Sequence, residues 1–250
     1  MPNINDTFFD GEYKEIWRSI IPEELTLKEV DFMLSHFNLQ PGSKVLDLMC
    51  GYGRHAIALA RKGMLVTAVD NLASYTNEIY EIAEKEQLPL KVIKADVAAY
   101  KNDDVADLVI CMGNSINFFN AYDTTKIFTA IYSCLKPGGH LLINSWSVAE
   151  ITFKNFKDKE KSWSNIGGVK FLSDSQFLFH PTRIQTESII ISSNGDTEVK
   201  SGIDYIFSIN EMEAMLKEAG LTLKEVYSIP GRKKFTLGEP RVYIVAEKNQ

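Results

Sequence analysis

The sequence is poor in the residues that build metal centres and disulfide frameworks: 250 residues contain three cysteines, Cys50, Cys111 and Cys134, and four histidines. The cysteines have neither CxxC spacing nor an even count, which excludes a zinc ribbon and a stapled secreted fold and points to a reducing compartment. No run reaches the roughly 18 apolar residues that a membrane span requires. The opening MPNINDTFFDGEYKE lacks the basic flank and apolar stretch of a signal peptide. A cytoplasmic protein with no membrane partner is expected. Positive charge is short as well: 27 Lys and Arg stand against 33 Asp and Glu, a net charge of -6. That balance argues against nucleic acid as a partner, because affinity for phosphate backbones rests on cationic side chains displacing counterions. Fixed-period repeats and low-complexity tracts are absent too.

What remains is the composition of a globular protein, 45% hydrophobic and 24% charged, with length enough for a full core. Residues 22–37 place Leu25, Val30, Met33, Leu34 and Phe37 at helical spacing behind an acidic first turn. After Pro41-Gly42 the apolar run 44–48 reads as a buried strand, and 54–63 as a helix stopped by Gly63. The alternation continues with strand 65–69, helix 74–87, strands 90–95 and 107–112, a helix over 122–135, the turn Lys136-Pro137-Gly138-Gly139, and strand 140–146. Strands alternating with helices predict an α/β fold, a parallel sheet covered on both faces.

After Trp146 the pattern changes. Segments 183–191 and 197–207 alternate in polarity around Ser193-Asn194-Gly195-Asp196, a strong hairpin signal. Residues 151–206 are therefore expected to form an antiparallel β insertion lying over the sheet. The core is assigned to 1–150 and 207–250, with an N-terminal lid over about 1–40. Helix 209–220 and strands 221–229 and 241–248 close the chain, the strands as an antiparallel pair.

The chemistry concentrates in the loop Asp47-Leu48-Met49-Cys50-Gly51-Tyr52-Gly53. Gly51 and Gly53 permit a sharp turn and a close approach of ligand to backbone. On the glycine pattern alone, a dinucleotide fits as well. Asp47 separates the two readings. Near a pyrophosphate it would meet like charge, at a cost of about 4 kcal/mol at 4 Å and an effective dielectric of 20. Against the ammonium and sulfonium of S-adenosylmethionine the same carboxylate is an attraction. The structural alternative is an Asp that caps its own loop. Asp70, followed by Asn71, ends the next strand, where a carboxylate would accept both ribose hydroxyls, with helix capping as the alternative. Asp96 and Val97, after the third strand, suit the adenine amino group and ring edge.

The series VLDLMCGYGRHAIALA, VTAVDN, KADV, DLVICMGNS and LKPGGHLLINSW, in this order and spacing, resembles the motifs of class I S-adenosylmethionine-dependent methyltransferases. The Gly53-Arg54-His55 step, NSINFF and the C-terminal segments are similar to small-molecule methyltransferases of the type 11/25 group. The resemblance implies a Rossmann-like seven-stranded sheet of order 3-2-1-4-5-7-6 with the last strand antiparallel. It also implies that Gly51 and Gly53 line the methionine moiety, Asp70 the ribose and Asp96 and Val97 the adenine, while the Met112 carbonyl takes the amino group. Where this family usually has glycine the chain has Met49, whose main-chain carbonyl would still serve. Tyr13 and Trp17, one helical turn apart, are candidates for covering the cofactor, or for packing on the adjacent helix.

Transfer of a methyl group to a small molecule by in-line displacement needs positioning above all. His55, early in a helix, reads as a solvated side chain, and no catalytic base is assigned. Asn114, Ser115 and Asn117 after the fourth strand, Trp146 after the fifth, and Arg183, Tyr205 and Arg232 from the covering segments are the candidate acceptor residues. The two arginines point to an anionic acceptor. No acidic or histidine cluster has metal-binding spacing, so no metal is expected. An RNA or protein methyltransferase, and an NAD-dependent oxidoreductase or non-catalytic nucleotide-binding module, are the alternatives.

Overall fold

A computed structural model describes residues 3–101 and 104–249; the first two residues of the expected N-terminal lid lie outside them. The central sheet has eight strands. Five run parallel: β1 (Lys44–Leu48), β2 (Leu65–Asp70), β3 (Leu90–Lys94), β4 (Ala106–Cys111) and β5 (Leu135–Ser145). The four strands of the second sheet are β6 (Lys159–Ile166), β7 (Val169–Leu178), β8 (Arg183–Ile191) and β9 (Thr197–Tyr205), paired antiparallel in that order. Back in the central sheet, β10 (Leu221–Ile229), the two-residue β11 (Lys233–Lys234) and β12 (Val242–Lys248) complete the order 3-2-1-4-5-12-10-11. β12 pairs antiparallel with both β5 and β10, so the expected order holds, with one short edge strand added. The turn expected at Lys136 to Gly139 lies inside β5, as an irregularity between the pairs Ala106–Leu135 and Leu108–His140, with Gly138 at φ +73°.

Helices cover both faces of this sheet. On one, α2 (Glu23–His36) and α3 (Arg54–Arg61) bury Val30, Met33, Ala56 and Leu59 against β1, β2 and β4. On the other, α5 (Ala121–Cys134) and α7 (Ile209–Glu218) bury Ile127, Phe128, Ile131, Met212 and Leu216. Local chemistry sets the ends. Glu23 and Glu24 oppose the dipole at the start of α2, and Ser208 with Glu211 forms a capping box on α7. α4 (Ala73–Glu86) stops at Gln87 in the left-handed region. Before the sheet come a single 3₁₀ turn at Ile4–Thr7 and the amphipathic α1 (Glu12–Ile20). Between β5 and the second sheet lies α6 (Ala149–Asn155), which the sequence reading did not separate from the insertion. Among the described residues no helix is long and apolar enough to cross a membrane.

Candidate active site

A cavity of about 540 Å³ opens at the carboxyl ends of the parallel strands, where open α/β sheets bind ligands. Asp47, Met49, Gly51, Asp70, Asn71, Asp96, Val97 and Met112 all line it. The loop after β1 turns through two consecutive uses of left-handed backbone, Met49 at φ +56° and Gly51 at φ +55°. A Cβ on Gly51 would meet nothing within 4 Å, so its missing side chain leaves open space against the backbone. Gly53 does something else. It does not line the cavity, and a Cβ there would sit 2.7 Å from Ile79 Cγ1, so it is the glycine that lets α3 pack on α4.

The two strand-end carboxylates differ in what holds them. Asp70 Oδ2 accepts the Gly51 amide at 2.9 Å and Oδ1 the Leu72 amide at 3.0 Å; burial nevertheless pushes its pKa up to about 6. Asp47 is 1% exposed and its Oδ2 has no hydrogen-bond partner. Burial, with Asp70 adding repulsion and Arg54 pulling back, pushes its pKa up to about 8. A buried acid missing a partner is costly, and this one lines a cavity.

Arg54 and His55 also line the cavity, and both are fixed by α2. Glu29, 3% exposed, accepts from Arg54 Nη1 at 2.7 Å, His55 Nε2 at 2.8 Å and the Tyr243 hydroxyl at 2.7 Å; Arg54 Nη1 also reaches Thr26 Oγ1 at 2.8 Å. Burial alone would raise the Glu29 pKa, but these cationic and donor partners hold it at about 2. Burial and the Arg54 charge hold His55 down at about 4 despite Glu29. His55 is therefore a neutral, 3% exposed side chain donating to a carboxylate, not a solvated one. Its partner lies 26 residues away, beyond what helical position reveals. Arg54 was missed as a site residue, although the Gly53-Arg54 step was visible.

The N-terminal segment roofs the cavity. Asn3 and Asn5 donate to the Phe118 carbonyl, and Asn5 also exchanges both bonds with the backbone of Ile203. The Tyr75 hydroxyl donates to Phe9 O at 2.5 Å and Asn71 Nδ2 to Asp6 Oδ1 at 2.6 Å. From β9, Lys200 Nζ donates to the carbonyls of Thr7 and Asp10. Lys14 and Arg18 pin α1 to Glu78 of α4.

On the far side Tyr13, Trp17, Trp146 and Tyr205 line the cavity. Tyr13 stacks on Trp17 with centroids 6.2 Å apart, and Trp17 tilts against Trp146 at 5.5 Å. Ser115 lines it as well. The remaining acceptor candidates are elsewhere. Asn114 is fully buried: its Oδ1 accepts from Ser145 Oγ, Trp146 N and Ser147 N, and its Nδ2 donates to Ser147 Oγ and Asp204 Oδ1. Asn117 donates to the carbonyls of Ser147 and Tyr205 and accepts from Ser145. With these bonds made, all four amide hydrogens and the Asn114 oxygen are engaged, and both fully buried side chains lie outside the cavity lining; both tie β4, β5 and β9 together. Arg183 donates to Pro181 O and Arg232 is exposed, both outside the cavity lining. The anionic acceptor they suggested loses its basis. Asp204, missed from the sequence, is held by Asn114 and Ser147, and burial pushes its pKa up to about 6.

Against known proteins, the family model of a methyltransferase domain matches residues 45–139. The chain is 28% identical over 144 residues to a glycine/sarcosine N-methyltransferase of Halorhodospira halochloris, covering 56% of this chain and 53% of that one. It is 27% identical over 152 residues to a carboxy-S-adenosyl-L-methionine synthase of Photobacterium profundum, covering 56% of this chain and 61% of the relative. It thus spans between half and two thirds of the length of these relatives. The fold is that of an S-adenosylmethionine-dependent methyltransferase from Clostridium acetobutylicum, with a TM-score of 0.83 at 19% identity over 95% of this chain and 96% of that one. The loop after β1, the strand order and the matched segment agree: residues 45–139 carry a methyltransferase domain, and the chain has the fold of the class I S-adenosylmethionine-dependent methyltransferases.

Proposed function

We propose that the chain transfers the methyl group of S-adenosylmethionine to a nucleophilic atom of a small molecule by in-line displacement. The observation that supports this reading most directly is the unpartnered Asp47 Oδ2 in the cavity lining, within electrostatic reach of Arg54. Asp47 and Arg54 both line the cavity, and an acid and a guanidinium in one pocket are the electrostatic complement of an α-amino acid, so Asp47 would take the ammonium and Arg54 the carboxylate of the methionine moiety. Gly51 leaves the backbone accessible there. Asp70 keeps acceptor capacity for the ribose beside its backbone bonds; Asp96 and Val97 would bound the adenine end, and the Met112 carbonyl would face the amino group of the methionine moiety. When bound, the sulfonium supplies an already activated methyl group. The chain's task is then to orient the acceptor and exclude water.

Tyr13, Trp17, Trp146 and Tyr205 would form the acceptor wall, on the side of the cavity away from Asp70. The strap over residues 3–10 leaves a roofed chamber rather than an open groove, which favours a small acceptor over RNA or a folded protein. The relative named for glycine and sarcosine methylation supports the same size class.

Titration calorimetry with S-adenosylmethionine and with NADH, followed by incubation of a metabolite extract with methyl-labelled S-adenosylmethionine, tests the reading. Binding of S-adenosylmethionine and label appearing in a low-molecular-weight product is the expected result. Tight NADH binding without a response to S-adenosylmethionine, or label recovered only in RNA or protein, overturns it.

A further inference from the structure

The second sheet has two unlike faces. Phe171, Ile190 and Ser188 point inward, and Phe171 lies against Tyr13 of the lid with centroids 6.3 Å apart. On the outward face the register aligns one residue from every strand: Trp163 pairs with Leu172, Leu172 with Ile189, and Ile189 with Val199. This is an unbroken apolar row across all four strands, with exposures of 70% for Trp163, 36% for Leu172, 36% for Ile189 and 65% for Val199. Isolated exposed apolar residues are unremarkable. Four in cross-strand register, flanked on β6 and β7 by Asn165 and Lys170 on one side and by Lys161 and Asp174 on the other, form a patch of the kind that marks an interface.

The charges beside the row select the occupant. Along β7 the outward residues run Lys170, Leu172, Asp174, with Glu187 paired to Asp174 on β8. Cation and anion therefore stand at equal distances on opposite sides of the apolar row. Among the described residues Lys170 has no ion partner in its own chain, while Asp174 reaches only Lys161, itself 81% exposed. A twofold axis lying along the row turns each copy's Lys170 over the other's Asp174 and stacks row on row. The same operation brings Ser201 over Thr197 on β9, Lys161 over Asn165 on β6 and Glu187 over Ile191 on β8, where Glu187 stands one strand from the opposing Lys170. We propose that this face is an isologous dimer interface, whose partner is a second copy of this chain, with paired Leu172 at its centre and two Lys170–Asp174 ion pairs at its flanks.

The row lies two residues from the ends of β8 and β9 and three from those of β6 and β7, so the axis overlaps five to seven residues per strand. At about 4.8 Å strand spacing and about 3.4 Å rise the footprint is on the order of 400 Å² per copy, which places the dimer in the weak, concentration-dependent class. A specific interface buries about 800 Å² of accessible surface per partner, and two sheets packed face to face interdigitate, so accessible area exceeds footprint. Because the reverse face of these strands holds the lid, the dimer would also brace the sheet that latches the N-terminal segment.

Sedimentation equilibrium from micromolar to sub-millimolar protein is the test, with far-UV circular dichroism and S-adenosylmethionine affinity as checks that variants are folded. The wild-type chain is expected to dimerise. Leu172→Asp is expected to raise the dimer dissociation constant at least about a hundredfold, and Lys170→Asp about tenfold, with Lys170→Asp/Asp174→Lys restoring it. A wild-type chain that is monomeric throughout, or that is monomeric and instead sediments with phosphatidylcholine vesicles, overturns the proposal. So does a dimer indifferent to Leu172→Asp, or a charge swap that fails to rescue.

Discussion

The two sheets solve opposite problems with the same backbone. β1 and β4 are buried along almost their whole length between two layers of helices, so Val45, Leu46, Leu48, Val109 and Ile110 follow one another without alternation. In β7 exposure alternates residue by residue, because one face meets the lid and the other meets solvent. The first sheet fixes where the strand-end carboxylates sit, and a change there is felt throughout the core. The second carries a lid, and its outward side chains are free to serve another purpose. Chemistry and access are thus written in two different patterns within one chain.

The sharpest way to break that contrast is Glu29→Ala, which strands the Arg54 charge beneath the glycine loop. Urea unfolding is expected to show a loss of about 3 kcal/mol or more, and a loss below about 1 kcal/mol would show that the cluster is not a structural support. Next comes Gly53→Ala, which combines a φ of +75° with a Cβ 2.7 Å from Ile79 Cγ1; about 2 kcal/mol of stability should go, and an unchanged midpoint would reject the packing role.

For binding, Asp70→Ala removes the proposed ribose acceptor and the Gly51 tie together. The S-adenosylmethionine dissociation constant measured by calorimetry should rise at least about tenfold, equivalent to 1.4 kcal/mol. No change in a folded variant rejects the assignment.

Asp47 gives a pH signature. Its folded pKa of about 8 lies above the ordinary carboxylate value, so the free protein keeps the proton that the unfolded chain loses, and this group's contribution to stability falls as pH rises between about 4 and 8. A cofactor that requires the ionised form must displace that proton. Affinity is therefore expected to strengthen about ninefold from pH 6 to 7 and to level off near 8, and Asp47→Asn should flatten the slope. A slope retained in Asp47→Asn assigns it to another group. The smallest effect is expected on the second sheet's outward face away from the apolar row: Gln185→Thr should change unfolding free energy by no more than about 0.5 kcal/mol. A larger loss would show that this face is as constrained as the inner one.

The contrast also explains what was legible beforehand. Continuous apolar runs ending in Asp47 and Asp70, and the Asn194-Gly195 turn between β8 and β9, are local signals from which the elements followed, whereas the strand order came from the family resemblance that the motif series carries. β6 carries eight residues of which six are exposed, so its alternation was too faint to delimit. The roles of His55, Asn114 and Asn117 depend on Glu29, Ser147 and Asp204, partners 26 to 90 residues distant, and nothing in residue type tells a buried bridging Asn from a substrate-facing one. Arg183 and Arg232 were grouped by charge, but neither lines the cavity.

The bond pair between Asn5 and Ile203 has a consequence beyond roofing the cavity. β9 is the last strand of its sheet, and its free backbone edge would otherwise be a template for strand addition. Asn5 offers that edge one amide donor and one carbonyl acceptor, as a neighbouring strand would, and Phe8 lies so close over Gly202 that a Cβ there would fall 2.9 Å from its ring. Release of the strap would therefore uncover that edge, so the two hydrogen bonds that roof the cavity also guard the sheet against strand addition.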